Sequence, residues 1–385
     1  MKTILTLCYL IIITALSCQK KEKTLEVTLR KSVEWMWEQQ SDDGGWHSKT
    51  HAVLRDGRVL TPYILFHLLQ ETEMGSPAPK ESVEKAVDFI TRVMRSALDE
   101  DSIALIDYPN YSASYALRVL QKLKRDTSLQ DIIIHYLIDQ QFTEQRGFTP
   151  GHLAYGGWGY GESGLNDGEH GHVDVSHTRR VAEALFESEY LDVKAQAKAK
   201  AKESILHFIK GVQRHPEDLR CYEGCISRSA LPYDGGFVAS VVTLSTTKSE
   251  PVQSDSAGYH YPSYATATCD GLMLMNALDM KSTPYYRDAE NWLKQNQGMH
   301  TIDGISPDDP EQWDEVMHYY HLAVRSEAMN LIDPGGKWKD GIESILIKEQ
   351  FPGGYYVNPL GGVNKEDDPL MATILAIQAC ERVRG

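Results

Sequence analysis

The chain has 385 residues, of which 42% are hydrophobic and 24% charged, so it can bury the core of one large globular domain or two small ones. Its formal net charge is −15. A surface that binds nucleic acid needs a basic patch, and the sequence contains none, so the composition argues against nucleic acid as a partner.

The first 23 residues, MKTILTLCYLIIITALSCQKKEK, have the pattern of a secretory leader. Lys2 precedes an apolar run from Ile4 to Leu16 that is too short to span a bilayer comfortably. The following ALSC resembles a bacterial lipobox, with Ala15 in place of the more usual leucine. That resemblance implies a signal peptide over residues 1–18, lipidation of Cys18, a tether over 19–25 and a lipid anchor in the bacterial cell envelope. Plain secretion is the alternative.

Twelve amphipathic segments follow the leader, and they alternate between two kinds. The more charged segments are predicted near 26–40, 80–97, 128–141, 195–213, 284–297 and 338–350. The more apolar segments are predicted near 59–70, 109–121, 174–187, 263–279, 314–331 and 368–382. Asp174 and Asp368 stand where helix N-caps are expected, the second before Pro369. The pattern predicts six helix pairs, with an apolar inner ring and a charged outer ring.

A turn that runs from glutamine through glycine to an aromatic residue recurs after five of the charged segments. Its copies are EQQSDDGGWH (38–47), DQQFTEQRGF (139–148) with YGGWGYGES (155–163), VQRHPED (212–218) with YDGGFVAS (233–240), KQNQGMHTIDG (294–304) and KEQFPGGYY (348–356). Repeats of this size indicate stacked supersecondary units. We expect the glutamine amides to bond free helix carbonyls, so that each turn holds one outer helix against its neighbour. The expected structural aromatic residues are Trp46, Trp158, Phe237 and Tyr355.

These turns resemble those of the prenyltransferase and squalene-oxidase repeat proteins, the wider family of squalene-hopene cyclases and protein prenyltransferase beta subunits. The segments YDGGFVAS…YPSYATATCDGLMLMNAL, HYYHLAVRSEAM and EDDPLMATILAIQACE are similar to a subgroup of exported bacterial repeat proteins. The resemblance covers nearly all of the mature chain. It implies an all-α fold, a single α/α toroid over residues 26–385 with six helical hairpins around a central cavity.

The cyclase motif of that family is incomplete here. Cyclases of the squalene-hopene type protonate an alkene with the middle aspartate of a D-x-D-D motif. The closest match, DVSH, keeps Asp174 at the first aspartate position. Ser176 and His177 stand at the middle and last aspartate positions. The cyclase acid is therefore absent.

The zinc motif of the protein prenyltransferases, an Asp-x-Cys pair with a distant histidine, is also incomplete. Cys269 and His321 match two ligands, but Ala267 stands where the aspartate should be. We therefore predict no cofactor, with zinc at Cys269 and His321, where Asp270 could replace the missing aspartate ligand, as the weaker alternative. Of the other cysteines, Cys221 and Cys225 could form a disulfide in an exported loop.

Polar residues at helical spacing in the apolar segments are the candidate site. We predict His321, His177 and Asp174 as acid–base groups, with Asp174 orienting His177. The predicted ligand contacts are Tyr111, Tyr264, Asp270, His318 and Arg325. His170 and His172 are predicted to be solvated, because nothing nearby in the sequence supplies a third metal ligand.

Three function classes follow. The first is a membrane-anchored, terpenoid-cyclase- or prenyltransferase-like toroid that binds a hydrophobic or amphiphilic small molecule, isoprenoid or lipid-like, in its cavity. The second is an exported polysaccharide-degrading α/α-toroid enzyme, and the third is a non-catalytic binding or scaffold lipoprotein. A wet, tyrosine-rich lumen would favour a sugar, and a dry lumen lined by Met, Phe and Leu would favour an isoprenoid.

Overall fold

A computed structural model of the chain describes residues 24–384, except 74, 76, 100–105, 162–164 and 187–194. The predicted signal peptide, the lipidation site Cys18 and the tether up to residue 23 lie outside the described residues. The described helices, in chain order, are α1 (Leu25–Glu38), α2 (Leu60–Glu73), α3 (Lys80–Asp99), α4 (Pro109–Lys122), α5 (Thr127–Asp139), α6 (Val175–Phe186), α7 (Ala195–Val212), α8 (Ala265–Ala277), α9 (Pro284–Gln295), α10 (Trp313–Val316), α11 (His318–Ile332), α12 (Trp338–Glu349) and α13 (Pro369–Arg384).

Six apolar helices, α2, α4, α6, α8, α11 and α13, form a closed inner ring. Each packs against the next in this order, and α13 packs against α2. The helices α1, α3, α5, α7, α9 and α12 lie outside this ring, each packed against at least one inner helix. The predicted alternation of inner and outer helices is therefore confirmed. None of the described helices combines the length and the apolar character needed to cross a membrane.

Between α7 and α8 the chain forms a long connection with a small hairpin and a disulfide. Strands β1 (Val252–Ser254) and β2 (Gly258–His260) pair in antiparallel register. Cys221 and Cys225 are bonded, with their Cα atoms 5.7 Å apart, so the pairing that the sequence allowed is formed. Cys269 and Cys380 are free and buried.

Glutamine side chains join neighbouring outer helices. Gln40 Nε2 donates to the Gly44 carbonyl of its own turn at 2.9 Å and to the Ser82 carbonyl of α3 at 2.8 Å. The same pattern recurs in bonds from Gln141 to the Ala201 carbonyl, from Gln213 to the Tyr285 carbonyl and from Gln350 to the Thr28 carbonyl, at 3.1, 2.8 and 2.6 Å. The last of these bonds joins α12 to α1 and closes the outer ring. The predicted link between neighbouring outer helices is confirmed at these four turns. The expectation of free helix carbonyls is wrong, because the accepting carbonyls do not lie at the C-terminal end of the neighbouring helix.

The turn after α9 is an exception to this pattern. Gln297 is exposed, and its amide donates to the Lys294 carbonyl of the preceding helix, not to a neighbouring outer helix. Arg325 of α11 bonds the Asn296 carbonyl at 2.6 Å instead. The prediction of a fifth glutamine bridge is therefore wrong.

Each of the four glutamine turns buries one aromatic ring against an inner helix. The buried rings belong to Trp46, Trp158, Phe237 and Tyr356, and their backbone N–H groups donate to the hydroxyls of Thr61, Thr178, Thr268 and Thr373 at 3.0 Å. The expectation of Tyr355 in the last turn is wrong by one residue. Tyr356 lies six residues after its glutamine, as Trp46 does after Gln40, whereas Tyr355 stacks on Phe351 with ring centroids 5.0 Å apart.

The fifth apolar segment is divided, whereas the sequence predicted one helix over 314–331. The backbone leaves the helical conformation at Met317, between α10 and α11. The carboxylate of Glu366, from the loop before α13, accepts hydrogen bonds from the N–H groups of Tyr319 and Tyr320 at 2.9 Å each. This carboxylate caps α11, and the cap explains why a new helix begins there.

Candidate functional site

The N-terminal halves of the inner helices surround a cavity of about 340 Å³. Helices α13 and α2 and the segment before α2 contribute apolar lining, which includes Leu54, Val59, Met371 and Leu375. Helices α6 and α8 lie opposite in the ring and contribute polar lining. The lining is therefore mainly apolar beside α13 and α2 and mainly polar beside α6 and α8. Val175 and Ala267 are apolar residues of the second side, and Asn364 and Lys365, from the loop before α13, are polar residues of the first.

Asp174 is the centre of a group of three polar side chains on the polar side. Its Oδ2 accepts a hydrogen bond from His172 Nε2 at 2.7 Å, and its Oδ1 lies 3.0 Å from His177 Nδ1. The backbone N–H of His177 donates to Asp174 Oδ1 at 2.8 Å, so the aspartate also caps α6 as predicted. Burial opposes ionisation of Asp174, but the charges and hydrogen bonds of His177 and His172 hold its pKa well below its usual range.

A close backbone approach fixes the position of His172. Gly159 pairs with Val173 in an antiparallel bridge, and the N–H of Tyr160 donates to the His172 carbonyl at 3.2 Å. A Cβ atom at Gly159 would lie 1.5 Å from that carbonyl oxygen, so the contact requires glycine. The Tyr160 ring then stacks on the His172 ring with centroids 3.7 Å apart. The prediction that His172 is solvated is wrong, because its side chain lines the cavity and bonds Asp174.

Asp270, on α8, is the second carboxylate of the cavity. Its Oδ2 accepts a hydrogen bond from the Tyr320 hydroxyl at 2.6 Å, and its Oδ1 accepts one from Arg179 Nη1 at 2.9 Å. The Tyr320 hydroxyl also lies 3.0 Å from Ser176 Oγ. Burial raises the pKa of Asp270 despite the neighbouring arginines.

A buried ion network that includes Asp270 lies beneath the cavity. Arg179 is fully buried and pairs with Glu183 at 2.5 Å, and it also bonds Asp270 and Glu327. Arg118 of α4 reaches Glu183 at 2.9 Å. Burial opposes ionisation of Glu183, but the nearby arginines lower its pKa. The network joins α4, α6, α8 and α11 at the depth where the cavity ends.

Two lysines lie at the cavity, each against an aromatic ring. Lys248 Nζ is 3.7 Å from the centroid of the Trp313 ring, and Lys365 Nζ is 5.2 Å from that of Tyr108. Burial lowers the pKa of Lys248. These cation–π contacts hold two ammonium groups where they favour the polar end of a ligand.

Five of the predicted site residues line the cavity, namely Asp174, His177, Tyr111, Tyr264 and Asp270. These side chains come from α4, α6 and α8 and from the residues directly before α6 and α8. The expected central cavity is present, and residues from the N-terminal halves of the inner helices line it. The chemical roles of these five residues stay predictions.

The predicted stripe of His318, His321 and Arg325 does not face the cavity. His318 Nε2 contacts Glu349 of α12 at 2.8 Å, and Arg325 bonds the carbonyl that follows α9. His321 is buried, and its Nε2 lies 3.1 Å from the Gly298 carbonyl. Burial, followed by the charge of Arg325, lowers the pKa of His321 to about 3. The prediction that this stripe lines the cavity is wrong, because these three side chains face the outer helices and the loops between them.

The alternative zinc pair, Cys269 and His321, does not gain a third ligand in the described part of the chain. The one group there that brings three His, Cys, Asp or Glu donor atoms within 4.8 Å of one another is His172, Asp174 and His177. Burial raises the pKa of the Cys269 thiol to about 12, so burial disfavours the thiolate that a metal needs.

Comparison with solved structures gives the same architecture. The type II terpene cyclase MstE from Scytonema, in its apo form, has a TM-score of 0.53 and 12% identity over 94% of this chain and 98% of that chain. MstE in complex with the substrate geranylgeranyl dihydroxybenzoate has a TM-score of 0.53 and 12% identity over 93% and 97%. The GH76A α-1,6-mannanase from Salegentibacter sp. HEL1_6 has a TM-score of 0.53 and 11% identity over 93% and 98%.

This chain is an α/α toroid. The predicted resemblance to cyclase-type repeat proteins is confirmed as to fold, and at these identities the likeness concerns the fold alone. No protein-family model and no curated protein sequence matches the chain.

Several residues at or beneath the cavity are not among those predicted from the sequence. On α11 the cavity-facing residue is Tyr320, one position before the selected His321, and the Glu366 cap that starts this helix is distant in sequence. Arg179 and Glu183 could have been noticed as charges inside an apolar helix. Lys248 and Lys365 stand in loops, where no periodicity marks them.

Proposed function

We propose that the toroid binds an amphiphilic small molecule, isoprenoid or lipid-like, in the cavity at the N-terminal ends of the inner helices. The observation that carries the proposal is the division of the lining. The side chains of Leu54, Val59, Met371 and Leu375 offer one wall to an apolar body. The opposite wall offers hydrogen-bonding groups to a polar end.

The size of the cavity agrees with a small ligand. A volume of about 340 Å³ falls at the lower end of the usual range for small-molecule sites, roughly 300–1,000 Å³. In the structure of MstE with its substrate, the ligand is geranylgeranyl dihydroxybenzoate, which has an isoprenoid chain and a polar aromatic end. The isoprenoid chain of such a ligand would match the apolar wall of this cavity, and the polar end would match the polar wall.

A titration with geranylgeraniol tests the proposal. We expect saturable one-to-one binding to the full chain, measured by quenching of tryptophan fluorescence, since Trp313 lines the cavity. Ala267→Trp adds a large ring at a buried position in the cavity wall and should abolish binding. Leu219→Trp adds the same ring at an exposed position, where Leu219 is 84% exposed, and should leave binding unchanged. Equal binding by both folded variants would contradict a site in this cavity.

A polysaccharide-degrading enzyme is the second candidate. The observation that favours it is the aromatic lining, which includes Tyr63, Tyr108, Tyr111, Tyr160, Tyr264, Tyr320 and Trp313. Because a tyrosine-rich lumen favours a sugar, these rings count in support of this candidate. We place it second because a sugar would leave the apolar wall of Leu54, Val59, Met371 and Leu375 without a partner. Release of shorter saccharides from α-1,6-mannan by the wild-type chain, with no binding of geranylgeraniol, would reverse this order.

Membrane anchorage through lipidated Cys18 belongs to the same proposal. A lipid anchor would hold the cavity close to a membrane, from which an amphiphile could enter. The support is the leader and lipobox pattern of residues 1–18. The acid–base roles of His177 and Asp174 are not needed for binding.

A further inference from the structure

Three donor side chains converge at the polar wall of the cavity. His172 Nε2 lies 2.7 Å from one Asp174 oxygen, and His177 Nδ1 lies 3.0 Å from the other. One donor atom from each of the three residues lies within 4.8 Å of the others. Two imidazole nitrogens and a carboxylate are therefore close enough together to share one metal ion.

The three side chains are held in place independently of any ligand. The bridge at Gly159 and the stacked Tyr160 ring fix His172. The capping bond from the His177 N–H fixes Asp174 at the start of α6, and His177 stands in the first turn of that helix. Such preorganisation lowers the conformational cost of binding an ion.

The spacing of the donors agrees with a divalent transition metal. Ligand atoms about 2.0–2.2 Å from a tetrahedral zinc ion stand about 3.3–3.6 Å from one another. Asp174 Oδ2 lies 2.7 Å from His172 Nε2 and 3.1 Å from His177 Nδ1, so these atoms would have to separate by about 0.2–0.9 Å to admit the ion. Imidazole and carboxylate donors suit Zn²⁺ and the other borderline divalent ions.

The surroundings of the group leave room for further ligands. All three residues line the cavity, so a molecule in the cavity could supply a further ligand to an ion bound by them. Three protein ligands with an open position are the arrangement of reactive, not structural, zinc sites. Burial of Asp174, which is 7% exposed, strengthens its attraction to a cation.

We propose that His172, Asp174 and His177 form a site for one divalent metal ion of the Zn²⁺ class, with its open coordination positions directed into the cavity. This inference goes beyond the proposed function, because an ion can bind here whether or not an amphiphile occupies the cavity. An ion at this place would contact the polar end of a bound ligand. It is also a different site from the Cys269 and His321 pair, since neither residue takes part.

Metal binding to the full chain tests the site directly. The protein is stripped with a chelator, dialysed and titrated with Zn²⁺ alone, and bound zinc is counted by elemental mass spectrometry. A parallel titration with Co²⁺ reports inner-shell coordination by its visible absorption. We expect one ion per wild-type chain, and in His172→Ala and His177→Ala an affinity lower by about 100-fold or more.

Two further variants separate loss of the site from loss of the fold. Asp174→Asn keeps a side-chain oxygen that can cap α6, so it should stay folded while losing most of its zinc affinity. His170→Ala removes a histidine from the same loop, one that is outside the group of three, and should bind like the wild type. Thermal unfolding in chelator verifies that each variant is folded.

Two results would overturn the metal site. One is a folded wild-type chain that takes up no zinc at tens of micromolar free ion, and the other is equal zinc binding by the wild type and the folded Asp174→Asn and His177→Ala variants. Neither result bears on the proposed ligand, because geranylgeraniol binding is measured separately on the chelator-treated chain. Conversely, zinc binding without geranylgeraniol binding would leave the metal site in place and contradict only the proposed function.

Discussion

The side-chain amide of Gln350 donates a hydrogen bond to the Thr28 carbonyl at 2.6 Å, across a separation of 322 residues in the chain. The same amide lies 2.9 Å from Ser32 Oγ and 3.4 Å from the Gly354 carbonyl. This one side chain therefore joins the last outer helix, α12, to the first, α1, and closes the outer ring of the toroid.

Gln350→Ala should destabilise the whole chain. The substitution removes three hydrogen bonds from a buried position, and we expect a loss of about 2–3 kcal/mol in the free energy of unfolding. Urea denaturation measures this loss. Gln297→Ala is the matched control, because Gln297 is exposed and bonds only its own helix end, so its cost should stay within about 0.5 kcal/mol. Equal costs for the two variants would mean that the bridge does not stabilise the ring.

Gly156→Ala should be among the most damaging single substitutions in a turn. Gly156 has φ +88°, and a Cβ atom there would lie 1.9 Å from the Ser204 carbonyl oxygen of α7. The turn must move away from α7, and we expect insoluble protein or a loss of about 3 kcal/mol or more. Gly335→Ala is the control, since no atom lies within 4 Å of its added methyl group. A Gly156→Ala protein with wild-type thermal stability would contradict the close approach.

Arg179→Met should destabilise the protein in a pH-dependent way. Arg179 is fully buried against Glu183, Asp270 and Glu327, so its removal leaves buried carboxylates short of a partner and should cost about 3–5 kcal/mol at pH 7. Despite burial, the arginines depress the pKa values of Glu183 and Glu327 below their ordinary value of 4.5. This pairing therefore stabilises the wild type above about pH 4.5 and is lost as the pH falls below that value.

The stability difference between wild type and Arg179→Met should consequently stay large from pH 7 to about 4.5 and narrow as the pH falls further, towards the depressed pKa values of Glu183 and Glu327. In the variant, Glu183 and Glu327 lack the positive charge of Arg179. Their carboxylates therefore protonate at a higher pH than they do in the wild type. Urea denaturation across this range measures the effect. Arg30→Met, which breaks only an exposed contact with Glu34, should show neither the cost nor the narrowing. A difference that stays constant with pH would show that Arg179 acts through packing alone.

Cys18→Ser should release the chain from the membrane. If Cys18 carries the lipid that the leader pattern predicts, the wild type incorporates labelled palmitate and sediments with membranes. The variant should do neither and should appear in the soluble fraction. The buried Cys380 provides the control, because Cys380→Ser should not change labelling. Membrane sedimentation of both variants without labelling would point to anchorage by an uncleaved leader.

The sequence predicts the ring of this toroid better than it predicts the lumen. Helix periodicity and the spacing between glutamine and the aromatic residue are local, and they identify the outer and inner helices and most of the turns. The facing of α11 depends on Glu366, which caps that helix from a loop about 46 residues later. No local pattern contains that contact, so helix periodicity alone places His318, His321 and Arg325 on the wrong side of α11.

The grouping of His172 with Asp174 and His177 is hidden from sequence for a related reason. The position of His172 depends on a backbone approach at Gly159, thirteen residues earlier and across a loop. Spacing alone shows a histidine-rich loop next to a helix cap. It does not show that the loop turns inward over the cavity.

Native mass spectrometry of the full chain, purified without added ligand, tests the central claim most directly. We predict that the wild type carries one small molecule with the mass of an isoprenoid or lipid, and that the folded Ala267→Trp variant, with its cavity filled, carries none. A wild type that is empty and also fails to take up geranylgeraniol, while retaining its native thermal stability, would contradict the account.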